Sequence, residues 1–99
     1  MRRGTTPTLR VKVRGIAVEE LTTMYLTIKQ GSVELTKDNF EIDDTENRLI
    51  VTLTQAETLA FDDGACQIQL RAMTRKGQAV ASTIVTMRWE HILLEGEIQ

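Results

Sequence analysis

The sequence predicts an all-β chain folded as an antiparallel sandwich. Three observations predict it. β-Branched Thr, Val and Ile are abundant, and such residues fit a pleated, half-buried surface. Turn formers at Gly4, Gly15, Gly31, Asn39, Asn47, Gly64 and Gly77 recur often enough to bound short strands. Between them, apolar and polar residues alternate, the period of a strand with one buried face.

Residues 8–14 make the first predicted strand. Leu9, Val11 and Val13 face the core and Arg10, Lys12 and Arg14 face solvent. Pro7 has no N–H to donate and suits the start of a strand. Val18-Glu19-Glu20-Leu21 is short and reads as one turn. The next strand spans residues 24–29, with Met24, Leu26 and Ile28 on one face and Tyr25, Thr27 and Lys29 on the other. Gln30-Gly31-Ser32 turns the chain into a hairpin partner holding Val33 and Leu35. Phe40 and Ile42 mark a further short strand, followed by an acidic turn, Asp43-Asp44-Thr45-Glu46-Asn47. Residues 48–54 form a strand whose core face is Leu49, Val51 and Leu53.

The pattern then changes. Thr54-Gln55-Ala56-Glu57 fits a capping box, which predicts a short helical turn near 55–60 crossing between sheets. Residues 65–74 form a long strand with Cys66, Ile68, Leu70 and Ala72 inward and Gln67, Gln69 and Arg71 outward. Arg75-Lys76-Gly77-Gln78 is a hairpin loop, and residues 79–89 are expected as one last long strand. Both faces of that strand carry apolar residues, which predicts cover on both sides or cover by a partner.

About seven short strands, with a helical crossing before the penultimate one, match an immunoglobulin-like sandwich. The Cys…Trp…Cys pattern and the corner Tyr of antibody domains are absent. Residues 1–91 are expected to form one domain, and residues 92–99 a short apolar and acidic tail.

The inventory of reactive groups excludes much chemistry. A single Cys66 cannot form an internal disulfide, and with one His it cannot complete a zinc site of Cys and His ligands. No catalytic, cofactor-binding or metal-binding residue is expected. His91 beside Glu90 lacks a nucleophile to serve. The acidic turn lacks the spacing of a twelve-residue calcium loop. Cys66 faces the core, where a thiol behaves as a small hydrophobe. The N-terminal residues lack the apolar run of a signal peptide, and no stretch approaches a membrane span, so synthesis in the cytoplasm is the expectation.

Contact surfaces remain. Arg10, Lys12 and Arg14 make a basic strand face, and Gln67, Gln69 and Arg71 a polar strip suited to interfaces. Ile92, Leu93, Leu94 and Ile98 make the tail apolar. Arg2, Arg3, Arg10, Lys12 and Arg14 give the chain a basic start, and Glu90, Glu95 and Glu97 give it an acidic end. Basic start and acidic end could meet between neighbouring subunits.

Leu53-Thr54-Gln55-Ala56-Glu57-Thr58-Leu59-Ala60-Phe61 and Gly64-Ala65-Cys66-Gln67-Ile68-Gln69-Leu70-Arg71 form a more specific pattern. It resembles one in small proteins encoded by tailed phages and prophages of Gram-positive bacteria. The opening Arg2-Arg3-Gly4-Thr5-Thr6-Pro7-Thr8-Leu9, the Ala81-Ser82 pair and the Ile92-Leu93-Leu94-Glu95-Gly96-Glu97-Ile98 ending look similar too. The layout is similar to the N-terminal immunoglobulin-like domain of phage baseplate upper proteins. The resemblance implies a non-enzymatic, virion-associated tail or baseplate protein without a cofactor. Its implied partners are proteins: other copies or other tail components. The alternative expectation is a nucleic-acid-binding or regulatory module using the basic first strand.

Overall fold

The computed structural model describes residues 1–99 and contains two antiparallel sheets. In chain order the elements are β1 (Thr8–Lys12), β2 (Leu21–Gln30), β3 (Val33–Lys37), β4 (Glu41–Asp43), β5 (Arg48–Thr52), α1 (Gln55–Leu59), β6 (Gly64–Thr74), β7 (Ala79–Ala81) and β8 (Val85–Trp89). A single 3-10 turn, Val18–Glu20, precedes β2. One sheet has the order β1-β5-β4; the other has the order β3-β2-β6-β7, with β8 also paired to β6.

These are the strand orders B-E-D and C′-C-F-G of an immunoglobulin-like sandwich. The first edge strand of that layout is reduced to a stub. Arg2 bridges Glu90 in parallel, with Glu90 N–H donating to Met1 O at 2.6 Å. The predicted helical turn is α1. Its capping box is complete, with Thr54 Oγ1 accepting from Glu57 N–H at 3.1 Å and Glu57 Oε1 accepting from Thr54 N–H at 2.8 Å. The box starts the crossing from the smaller sheet into β6, because it satisfies orphan donors where β5 runs out.

The last strand departs from expectation. It breaks into β7 and β8, separated at residues 82–84. Arg71 pairs with Ala81 in β7, whereas Ile68 pairs with Val85 in β8, so one extra residue sits on the outer strand. That is a β-bulge at a sheet edge. Ser82 stitches it: its Oγ accepts from Leu70 N–H at 3.0 Å, and its carbonyl turns away to Gln69 Nε2 at 3.0 Å.

The core has two parts. Ile28, Leu53, Phe61, Cys66 and Trp89 pack beneath α1, with the Phe61 and Trp89 rings stacked at 4.9 Å. Val18, Leu21, Leu26, Leu49, Val51, Leu70 and Ala72 fill the other half. The faces predicted from alternation are the faces buried, including Leu49, Val51 and Leu53 of the fifth strand's run.

Asn47 closes the second half from below. It adopts φ 52°, a region that Asn tolerates and most residues avoid. From there its amide donates to Val13 O at 2.7 Å and Ile16 O at 2.9 Å, and its Oδ1 accepts from Val18 N–H at 2.8 Å.

Candidate interaction surface

β1 and β7 are the edge strands on one flank of the sandwich, each paired on one side only. Bonds from Val13 N–H to Asn47 O and from Leu53 N–H to Pro7 O direct the odd residues of β1 toward β5. The main-chain groups of Thr8, Arg10 and Lys12 therefore point out of the sheet. On the other edge, Ser82 N–H bonds Leu70 O and Thr74 N–H bonds Gln78 O, which leaves the groups of Ala79 and Ala81 pointing outward.

Between these edges runs a groove of about 430 Å³, floored by Val11, Val13, Leu21, Leu70, Ala72 and Val80. Lys12 and Arg14 stand at its rim. Neither makes an ion pair within the chain, and no acidic residue lines the groove.

The predicted contact residues fall into three separate places. Arg10, Lys12 and Arg14 are exposed on and just after β1. Gln67 and Arg71 are exposed on the outer face of the larger sheet. Gln69, on the same face, is half-buried and spent on Ser82 O. The tail lies beside α1. Ile92 is its partly buried anchor: a Cβ built on Gly4, at φ 69°, would sit 3.1 Å from Ile92 Cδ1 and 3.3 Å from Leu59 Cδ2. The positive φ favours glycine there, and a Cβ would fit only if Ile92 and Leu59 gave by a few tenths of an ångström. Gln55 holds the main chain of Ile98 by two bonds, at 3.0 and 2.9 Å. Leu93 and Leu94, at a bend between these anchors, are 96% and 72% exposed.

The tail thus docks on its own domain while presenting two leucines outward. Part of the basic start meets the acidic end within one chain. Arg2 pairs with Glu90 at 2.7 Å, and Arg3 Nη1 with Glu95 Oε1 at 2.9 Å. Arg3 is buried, and its guanidinium also bonds the carbonyls of Leu59 and Phe61 at the end of α1. Cationic donors at a helix C-terminus satisfy carbonyls that the helix leaves open. One side chain therefore ties the N-terminus, the helix and the tail.

Sequence reasoning overlooked Tyr25 and Met73. Both are exposed on the outer face beside Arg71, Tyr25 as its direct cross-strand partner. The available signal was a large aromatic on the polar side of an alternating strand. Tyr, Met and Arg together are enriched at protein interfaces.

Burial raises the Glu57 carboxyl, but the bonds from Lys37 Nζ and Thr54 N–H outweigh it and leave the group below its ordinary value. The Arg48 guanidinium, 2.8 Å from Asp43, holds that carboxyl low as well. Burial pushes the Cys66 thiol up, away from the thiolate form. No cluster of three or more His, Cys, Asp and Glu side chains is placed to hold a metal, and no helix is long and apolar enough to cross a membrane. Comparison with family models, with curated proteins and with solved structures finds no match.

Proposed function

We propose that this chain is a non-enzymatic structural protein of a phage or prophage, an immunoglobulin-like module of the tail or baseplate region that acts through protein–protein contacts. One observation carries the contact part of this reading. The β1–β7 flank leaves two sheet edges unpaired around an apolar groove, and the last strands and the break between them carry Val80, Ile84 and Val85 exposed. Free edges are templates for strand addition, and isolated proteins usually blunt or cover them. The bulge after β7 blunts part of this edge and leaves the rest available. The phage assignment is supported by the sequence resemblance.

The test is composition of particles. Virions purified from the strain that encodes this chain should contain it in stoichiometric amount, and capsid and tail genes should flank its own. A chain absent from particles, or one that retards DNA or RNA in a mobility assay at low salt, would overturn the reading.

A further inference from the structure

We infer that copies of this chain join head to tail, with Leu93 and Leu94 of one copy seated in the β1–β7 groove of the next. The inference rests on the contact part of the reading above and names the partner.

Two patches on one chain match in chemistry and lie apart in space. The groove is apolar on its floor and cationic at its rim, through Lys12 and Arg14. The tail presents two exposed leucines followed by Glu95 and Glu97, with no base after His91. Glu97, Lys12 and Arg14 all lack an ion pair within the chain. An apolar anionic knob thus faces an apolar cationic socket, and complementary charge of this kind fixes register and speeds encounter.

The knob is held ready. Ile92 anchors it on one side, and Arg3–Glu95 and Gln55–Ile98 anchor it on the other. A segment already ordered loses less entropy on binding than a free tail. The knob cannot reach its own socket while so anchored. The tail leaves β8 beside Gly64 at the start of β6, whereas the groove borders Leu70, Ala72 and the Gln78 loop near the other end. A contact between unlike patches is heterologous, and it propagates into a ring or an open filament.

Light scattering over a concentration series tests this. The wild-type mass should rise above the 11.2 kDa monomer as concentration increases. A knob variant, Leu93→Asp with Leu94→Asp, and a socket variant, Val80→Asp with Lys12→Glu, should each remain monomeric. All four residues are exposed, so both variants should keep the fold, which circular dichroism checks. Mixed in equal amounts, the variants retain one good knob and one good socket, so they should form a species of twice the monomer mass and nothing larger. Adding Glu97→Lys to a Lys12→Glu, Arg14→Glu chain should restore association at least tenfold. A monomeric wild type, or a mixture that stays monomeric, overturns the contact. It leaves the virion reading to the particle test, which in turn can fail while head-to-tail assembly holds.

Discussion

The two halves of the core are finished differently. Beneath α1, Leu53, Phe61 and Ile28 are sealed from solvent, and Arg3, Gln30, Lys37 and Gln55 tie neighbouring segments together above them. In the other half, Leu70 and Ala72 keep 8% of their surface at the floor of the β1–β7 groove, and no segment of the chain crosses it. Both halves are built from the same alternating strands. What separates them is the chain that covers the flank. The first half receives the helical crossing and both termini. The second receives only the loop around Asn47 at its lower end. A domain of this size buries only part of what it could, so leaving one flank open carries a cost in stability. The open flank makes sense where another surface completes it.

Breaking the sealed half should have the largest effect. Trp89 is 1% exposed and stacks on Phe61. Trp89→Ala should cost about 3–5 kcal/mol, a large share of the roughly 5–15 kcal/mol typical of a whole domain. Urea unfolding followed by circular dichroism reads it. A loss of less than about 1 kcal/mol would mean this half is no better packed than an ordinary surface.

Asn47 tests the one place where the open half is closed. Asn47→Ala removes three hydrogen bonds and should cost about 2–3 kcal/mol at roughly 1 kcal/mol per bond. Asn47→Gly loses the same bonds but relieves the positive φ, so it should recover about 1 kcal/mol of that loss. Equal costs for the two variants would show that backbone conformation plays no part there.

The sealed half was more legible in the sequence than the open one, for physical reasons. A capping box has fixed residue types at fixed spacing, so Thr54 and Glu57 announced α1. Alternation announced which faces of β5 and β6 are buried, because a strand cannot bury both neighbours on one side. Arg3 was legible only as a charge. Its burial depends on carbonyls at Leu59 and Phe61, more than fifty residues away in the chain, and on Glu95. The bulge after β7 was illegible too. Ala81-Ser82-Thr83-Ile84 holds no Gly or Pro to mark a break, and only pairing with β6 shows that Ser82 Oγ takes a ladder position. The groove is a property of two edges distant in sequence. The apolar residues on both faces of 79–89 were its one trace; they predicted cover on both sides or by a partner, and the chain itself supplies no such cover, since residues 79–86 are exposed on both faces.

Acid should weaken the sealed half through Glu57. Its folded carboxyl lies below the ordinary value of 4.5, so its contribution is present above that value and disappears as pH falls through the lower, folded one. Glu57→Gln retains a capping acceptor but loses the charge facing Lys37. At neutral pH the variant should be weaker by about 0.5–1 kcal/mol. As pH falls below 4.5 and through the lower, folded value, the two unfolding midpoints should converge, because the wild type alone loses this interaction. A gap that stays constant across the whole acid limb would assign the effect to shape rather than charge.

The smallest effect should come from the open flank, and its smallness is the point. Val80 borders the groove yet is 41% exposed, with no residue of the chain packed over it. Val80→Ser should change the stability of the monomer by no more than about 0.5 kcal/mol, against the several lost at Trp89. Amide exchange sharpens the contrast within the same strands. Ala79 and Ala81 direct their N–H groups out of the edge and should exchange quickly. Ser82, bonded to Leu70 O, should be protected. When concentration is raised until copies associate, the β7 edge amides beside the groove should slow, while those under α1 stay as they were. An edge already slow in dilute monomer would mean that the flank is covered by the chain itself, and the two halves would then be alike.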